Sequence, residues 1–156
     1  MIPITYLDGD ATQPSNEGRK LLVHVCNNKG GWGRGFVLSL SKRWKDPELK
    51  YREWFKSGQG FELGAVQYVK VEPDLVVVNM IAQDGYGKNG KPPIRYDALE
   101  RCLEKVSVAA KKNKASVCLP YLMGCCLSGG KWETVESLII KTISNKDIPV
   151  FVYKLV

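Results

Sequence analysis

Apolar and polar positions along the chain mark six short strands. The segment Leu21 to Cys26 is an apolar run in which only His24 is polar, and the run 75–78 inside a predicted strand at 74–81 is apolar throughout. Continuous runs of this kind are typical of strands that are covered on both faces. The other strands are predicted at 2–7, 63–71, 116–119 and 148–155. We expect the pair 63–71 and 74–81 to form a hairpin across Glu72-Pro73-Asp74.

Helical spacing of apolar residues predicts four helices between these strands. The clearest two extend over Tyr96 to Asn113 and Trp132 to Ser144. Two others are predicted at about 35–44 and 48–56, the second with Asp46 as its cap and Pro47 in its first turn. Aromatic residues of these segments, among them Tyr51, are spaced like a buried helical face. The order β, β, α, α, β, β, α, β, α, β predicts an α/β fold with helices on both faces of a mixed sheet.

The central strand ends in a glycine-rich turn that leads into a helix. Asn27, Asn28 and Lys29 are followed by four glycines within six positions, at 30, 31, 33 and 35. Glycines let backbone N–H groups approach a ligand, and a helix N-terminus adds partial positive charge, so the turn suits a phosphate or diphosphate. The spacing matches neither the dinucleotide fingerprint nor the P-loop. A flexible connection is the alternative interpretation.

A second glycine-bearing loop, at 123–130, also follows a strand and precedes a helix. Both helix N-termini could therefore face one diphosphate. The segment from Ala82 to Pro93 carries three glycines and two prolines, which predicts a surface loop at the rim of the ligand site.

Few side chains near these turns can carry out chemistry. His24, the sole histidine, could act as a general acid/base or as a nucleophile toward phosphate, or could be a core residue with satisfied hydrogen bonds. Asn27 could donate to a sugar hydroxyl or shape the turn. Asp10 follows a predicted strand, where ligands collect in open α/β sheets, and Asp84, at the end of another, could act on a water, but turn formation is the commoner role of both.

Length and composition are those of an ordinary globular protein. We expect the 156 residues to form one domain, 1–156, since 44% of them are apolar and 25% are charged. No apolar stretch reaches the roughly 18 residues of a membrane span, and the N-terminus lacks the pattern of a signal peptide. We therefore expect a cytoplasmic protein with no membrane partner and, in the simplest case, a monomer.

The five cysteines predict reduced thiols rather than a metal centre. They lie at 26, 102, 118, 125 and 126, without C-x-x-C spacing and with a single histidine in the chain. Most are inside apolar runs, where cysteine behaves as a small hydrophobic residue. We expect no metal and no cofactor.

The formal net charge of +7 admits nucleic acid as a partner. Along the sequence, however, the excess is scattered: lysines at 111, 112 and 114 end one helix, while Lys88 and Lys91 lie in a loop. No platform of arginine and aromatic residues is evident. A small anionic ligand fits this balance at least as well as a polynucleotide.

Three segments in this order resemble the macrodomain family. They are Gly9-Asp10, the run His24 to Asn27 leading into 30–35, and Gly124-Cys125-Cys126-Leu127 ahead of Trp132-Glu133. The resemblance covers nearly the whole chain and is strongest to the subgroup with ADP-ribose 1''-phosphate phosphatases and terminal ADP-ribose protein glycohydrolases. It implies a three-layer α/β/α fold around a mixed sheet of about six strands, and ADP-ribose as ligand.

The resemblance also implies a role for each segment. Asp10, with Ala11 beside it, would accept a hydrogen bond from the adenine amino group, and Asn27 would lie by the distal ribose hydroxyls. The first loop would surround the distal ribose with Gly31, Trp32, Gly33, Arg34 and Gly35. The second would hold the diphosphate with Gly124, Cys125, Cys126, Leu127, Ser128 and Gly129.

Departures from the family pattern bear on mechanism. The glycohydrolase uses a lysine and an aspartate where this chain has Gln83 and Ser128, and Cys126 stands where glycine is usual. His24, in contrast, matches a histidine of the phosphatase. The leading expectation is a hydrolase acting on ADP-ribose 1''-phosphate or another conjugate, with His24 catalytic and Asn27 positioning the ribose. The alternatives are a non-catalytic ADP-ribose reader and, from charge alone, a nucleic-acid binder.

Overall fold

The computed structural model describes residues 1–86, 92–125 and 129–156. Its strands are β1 (Thr5–Asp8), β2 (Lys20–Asn27), β3 (Val66–Glu72), β4 (Leu75–Gln83), β5 (Ser116–Pro120) and β6 (Val150–Lys154). Its α-helices are α1 (Phe36–Arg43), α2 (Asp46–Ser57), α3 (Tyr96–Asn113) and α4 (Trp132–Thr142), and a 3-10 turn follows at Ser144–Lys146.

The six strands form one sheet in the order β1-β6-β5-β2-β4-β3. All neighbouring pairs are parallel except β3 and β4, which are antiparallel, so the predicted hairpin is confirmed. The parallel strands β1, β2, β4, β5 and β6 therefore end at the same edge of the sheet. Both glycine loops and the Gly9-Asp10 turn leave from this edge, hereafter the carboxyl edge, which is where open α/β sheets bind ligands.

Helices cover both faces of the sheet, as the sequence predicted. On one face, Leu22 of β2 packs in a cluster with Leu40 of α1 and Tyr51 of α2. On the other face, Val23 packs with residues of α3 and α4, including Leu103 and Ile139. Adjacent residues of β2 thus enter opposite cores, which explains why its sequence is apolar without alternation. The fold is a three-layer α/β/α arrangement.

Several predicted boundaries were wrong; the strand predicted at 63–71, for example, begins only at Val66. The first strand begins at Thr5 rather than at residue 2, because pairing with β6 begins opposite Phe151. Asp46 is the first residue of α2 rather than its cap, since Lys45 at the cap is already in the helical region, with φ −80° and ψ −30°. Helix α4 ends at Thr142, before residue 144. The apolar spacing continued there because Ile143 is buried in the core although its backbone is no longer helical.

The strand β4 also extends further than predicted, through Ala82 to Gln83. A bridge between Gln83 and Ile94 closes the base of the following loop, whose residues 87–91 lie outside the described ranges. Among the residues that the structure describes, no helix combines the length and the apolar character that a membrane crossing requires.

Candidate functional site

A cavity of about 340 Å³ opens at the carboxyl edge, where β2 and β4 end. The last residues of both strands and the first glycine loop form its walls. Its lining consists of Val25, Cys26, Asn27, Gly31, Trp32, Gly33, Arg34, Val37, Gln83 and Tyr86. The first loop, apart from Gly35, therefore lines a cavity, and its contact with a distal ribose stays a prediction.

The side chain of Asn27 organises this loop. Its Oδ1 accepts hydrogen bonds from the backbone N–H of Lys29 (2.8 Å) and of Gly31 (3.1 Å), and its Nδ2 donates to the Gly31 carbonyl (2.9 Å). The hydroxyl of the buried Tyr51 donates to the Asn27 carbonyl at 2.6 Å and lies 3.0 Å from Oδ1. Asn27 thus has the turn-shaping role among its two predicted alternatives, and its contact with a ribose hydroxyl stays a prediction.

Trp32 anchors the loop in the core. Its indole is only 3% exposed, and Nε1 donates to the Ser41 hydroxyl of α1 at 2.8 Å. The ring meets His24 edge-on, with 5.4 Å between centroids, and packs against Tyr51 at 5.3 Å. With Trp32 held inward, the neighbouring Gly33 and Arg34 are left exposed at the rim of the cavity.

Tyr86 forms the rim of the cavity opposite Gly33 and Arg34, and its position explains why residue 31 is a glycine. A Cβ atom on Gly31 would lie 2.5 Å from the Tyr86 hydroxyl oxygen, so the phenol rests directly over the Gly31 backbone. The Tyr86 side chain is 57% exposed. A large aromatic side chain that is this open and borders a cavity is available to contact a ligand.

The N-terminus of α1 lies next to the cavity, and its partial positive charge is not offset by an acidic side chain in the first turn. Gly35 at its cap has φ 82°, a left-handed conformation that favours glycine, and provides no side-chain cap. Of the four helices, α1 alone has no acidic residue in its first turn. The macrodipole and the free N–H groups of α1 therefore favour an anion here.

His24 is buried behind Trp32 and does not line the cavity. Asn79 of β4 donates from Nδ2 to the Pro47 carbonyl and to Gln67 Oε1, so its Oδ1 accepts from His24 Nε2 at 2.5 Å. Burial lowers the pKa of His24 to about 4, with the Asn79 hydrogen bond opposing that shift. The imidazole is therefore neutral near pH 7. This position favours the core alternative, and the catalytic role stays a prediction without support from the geometry.

Asp10 follows β1 and forms a turn with Thr12. Its Oδ1 accepts from the Thr12 backbone N–H at 2.8 Å and from the Thr12 hydroxyl at 2.7 Å, while Oδ2 lies 3.7 Å from Nη2 of Arg43. Partial burial works to raise the pKa of Asp10, but the Thr12 hydrogen bonds and the Arg43 charge hold it below the usual value. Oδ2 thus remains ionised and able to accept a hydrogen bond. The adjoining Ala11 is buried in the core.

The second glycine loop leaves β5, between Asp10 and the cavity. Its two ends are joined by a hydrogen bond from Gly130 N–H to the Gly124 carbonyl at 3.0 Å, and Gly124 packs among Val25, Ile94 and Val135. Gly129 lies against Pro92, where a Cβ would approach to 2.8 Å. Cys125 is half-buried. The predicted ligand residues Cys126, Leu127 and Ser128 lie outside the described residues.

The spacing of strands sets the length of the site. Strands β1 and β2 are separated by three inter-strand spacings, because β6 and β5 lie between them. At about 4.8 Å a step, Asp10 and the cavity are on the order of 14 Å apart along the carboxyl edge. A ligand that reaches both must be elongated, with its middle at the second glycine loop.

The two other polar candidates have structural partners. Asp84 accepts from Asn28 Nδ2 at 3.2 Å and lies 3.8 Å from Nη2 of Arg95, so it joins the first loop to the end of β4. Gln83 lines the cavity, and its Nε2 donates to the Gly85 carbonyl at 2.9 Å. An amide at this position is not a nucleophile, and no lysine is among the described residues that line the cavity.

Sequence reasoning missed Arg43, Asn79 and Tyr86. Arg43 is distant from Asp10 in sequence, and Asn79 stands inside an apolar strand with no pattern to distinguish it. Tyr86 lies in a loop without periodicity. Only the partners that these residues have in three dimensions reveal what they do.

Solved structures share both the fold and much of the sequence. A Streptomyces coelicolor macrodomain protein is 46% identical, with a TM-score of 0.85, over 97% of this chain and 98% of that one. A Bacteroides thetaiotaomicron protein of unknown function is 52% identical, with a TM-score of 0.95, over 98% of each chain. No family model matches the sequence. By its identity with the Streptomyces protein, this chain belongs to the macrodomain family.

Curated relatives and a ligand complex extend the comparison. The chain is 33% identical over 96% of its length to mouse chromodomain-helicase-DNA-binding protein 1-like, of which it spans 17%. A shorter match, 38% identical over 53 residues, covers 34% of this chain and 29% of a Saccharomyces cerevisiae ADP-ribose 1''-phosphate phosphatase. Thermosipho africanus DarTG, solved in complex with ADP-ribose, shares the fold with a TM-score of 0.71 at 20% identity, over 86% of this chain and 37% of that one.

Proposed function

We propose that this macrodomain binds ADP-ribose along its carboxyl edge. The adenine amino group donates to Oδ2 of Asp10, the diphosphate lies at the second glycine loop, and the distal ribose enters the cavity between β2 and β4. The observation that carries the proposal is the alignment of an ionised acceptor, a glycine loop and a cavity over about 14 Å of one sheet edge. A shorter anion would leave one end of this row without a contact.

Electrostatics and the comparisons support the same ligand. The uncapped α1 N-terminus contributes positive potential beside the cavity, as a diphosphate-containing ligand requires. Arg34 adds a side-chain cation at the rim. ADP-ribose is also the ligand in the DarTG structure of the same fold.

Hydrolysis of a bond at the distal ribose is the second candidate, and the match to the phosphatase favours it. The cavity is open at its rim, so a group attached to the distal ribose could extend into solvent past Arg34 and Tyr86. Cys26 in the cavity wall is a poor nucleophile, because burial raises the pKa of its thiol well above the usual value. Of the two candidates, binding therefore has the stronger support from the geometry.

Calorimetric titration with ADP-ribose tests the binding proposal through Asp10→Asn. The asparagine retains an oxygen for Thr12 but presents an amide NH2 in place of Oδ2, which cannot accept from the adenine amino group. Loss of a hydrogen bond to a charged acceptor corresponds to an affinity about tenfold to a hundredfold lower. Asp147→Asn is the matched control, because Asp147 also pairs with a cation but precedes β6, at the edge of the sheet away from the cavity. Equal affinity of the two variants would refute the assignment.

Product formation distinguishes the hydrolase from the reader. The intact protein is incubated with ADP-ribose 1''-phosphate and with an ADP-ribosylated protein, and the release of phosphate or of ADP-ribose is measured. A reader binds without product. If product forms, His24→Gln tests the histidine, and unchanged turnover would exclude its catalytic role.

A further inference from the structure

The fold gathers basic residues that are scattered along the sequence. Seven of them lie at the edge of the sheet opposite the ligand cavity, where the parallel strands begin. They are Arg19, Lys20, Lys70, Lys111, Lys112, Lys114 and Lys146. Lys20 is the first residue of β2, and β2 is eight residues long, so this basic surface is about 26 Å from the carboxyl edge.

Three adjoining hollows run through this basic surface. One, of about 600 Å³, has Arg19, Lys20, Lys70 and Lys112 in its walls. A second, of about 630 Å³, shares Lys112 with the first and contains Lys111 and Lys146. A third, of about 540 Å³, is bordered by Arg19, Lys111 and Lys114. The first and second hollows share Lys112, and the second and third share Lys111, so the three adjoin at the C-terminal end of α3; together they are called the groove below.

The positive charge in this groove is poorly neutralised. Three acidic residues, Glu17, Asp74 and Asp147, also border it, and Asp147 pairs with the N-terminal amine of Met1 at 3.0 Å. None of the seven basic side chains forms a salt bridge within the described part of the chain. The α3 dipole accounts for Lys111 and Lys112 in its last turn, but not for the basic residues of other elements.

Exposed apolar side chains accompany the charge. Tyr68 is 44% exposed and Val108 is 67% exposed, and both line the hollow that contains Lys70 and Lys112. Tyr68 and Lys70 are two residues apart on β3, so they share one face of the strand. An exposed aromatic ring can stack on a base, and lysines without salt bridges can contact backbone phosphates, so the two together are suited to single-stranded nucleic acid.

We propose that this groove binds single-stranded nucleic acid, with its lysines at the phosphates and Tyr68 against a base. The site is separate from the cavity at the carboxyl edge. A ligand in that cavity therefore does not compete with it.

Fluorescence anisotropy with a fluorescein-labelled deoxythymidine 12-mer tests the proposal. The groove variant is Lys70→Gln/Lys112→Gln/Lys146→Gln, whose ammonium groups have no hydrogen bond or salt bridge among the described residues. The control variant, Lys45→Gln/Lys50→Gln/Lys56→Gln, removes the same charge from the α2 region. Each lost phosphate contact reduces the slope of log K against log salt concentration by about 0.7. The three substitutions of the groove variant therefore reduce this slope by about 2, and the variant binds at least tenfold more weakly at low salt. The control keeps the slope of the intact protein.

Further measurements separate a groove from general attraction. Tyr68→Ala weakens 12-mer binding about tenfold, because base stacking is lost, and saturating ADP-ribose leaves the binding unchanged. Equal weakening by the groove and control variants would overturn the proposal, since it would indicate net charge without a site. Displacement by ADP-ribose, polyglutamate binding as tight as that of the 12-mer, or absence of 12-mer binding at low salt would each overturn it as well.

Discussion

Replacing Asn27 separates the two roles predicted for its side chain. In the structure three hydrogen bonds to the first glycine loop depend on the amide: two to Oδ1, from the N–H groups of Lys29 and Gly31, and one from Nδ2 to the Gly31 carbonyl. At about 1 kcal/mol each, Asn27→Ala lowers the free energy of unfolding by about 3 kcal/mol. For a chain of this length that is a fall in Tm of roughly 6–12 °C.

Asn27→Asp gives the matched intermediate case. Aspartate retains the two acceptor bonds, loses the donor to the Gly31 carbonyl and places a carboxylate oxygen next to that carbonyl. We expect it to cost about 1–2 kcal/mol, less than alanine. The order of stability is therefore Asn, then Asp, then Ala.

Urea denaturation followed by tryptophan fluorescence measures this order, and calorimetry with ADP-ribose measures affinity in the same variants. Both stability and affinity fall if Asn27 builds the loop. An unfolding midpoint unchanged in Asn27→Ala, together with lost affinity, would refute this reasoning and assign Asn27 to the ribose alone.

Two further predictions concern the residues behind and beside the site. His24 has a pKa of about 4 in the fold and about 6.5 when unfolded, so the unfolded chain takes up the proton first as pH falls. The neutral imidazole therefore contributes about 3 kcal/mol to the free energy of unfolding above pH 6.5, and this contribution is lost as the pH falls from 6.5 to 4. In urea denaturation at pH 7 and at pH 4.5, the free energy of unfolding should fall less between the two pH values in His24→Gln than in the intact protein. An identical fall in both would contradict the buried neutral imidazole. Arg43→Ala removes the 2.7 Å hydrogen-bond donor to the Thr12 hydroxyl and the positive charge near Asp10. We expect calorimetry to show several-fold weaker ADP-ribose binding, while the free energy of unfolding changes by about 1 kcal/mol or less. Unaltered affinity would exclude a role of Arg43 at the adenine end.

Much of the fold could be predicted from local pattern. Strand β2 has apolar residues on both faces because the faces enter different cores, and this pattern is visible from Leu21 to Cys26, where His24 is the one polar residue. Helix α3 was predicted from residue 96 to 113, as the structure has it, because its apolar spacing is regular along one core. The ends of β1 and α4 were missed because they depend on pairing with β6 and on the packing of Ile143, which spacing does not encode.

The site was predictable only where its residues are neighbours in sequence. The glycine turn after β2, which lines the cavity, could be singled out because its composition is unusual over a few positions. The environment of His24 was not, since its partner Asn79 is 55 residues away on β4. The basic groove was missed for the same reason, because its residues come from separate elements and meet only at the far edge of the sheet.

Titration of the ¹⁵N-labelled protein with ADP-ribose, followed by amide chemical shifts, tests the central claim most directly. We predict that shifts change at both ends of the carboxyl edge in one saturable event: at Asp10 and Ala11 after β1, and at residues 31–35 of the first loop. Amides at the basic edge, such as those of Lys111 and Lys112, do not shift. Changes confined to one end, or concentrated at the basic edge, would contradict the proposal of ADP-ribose lying along the carboxyl edge.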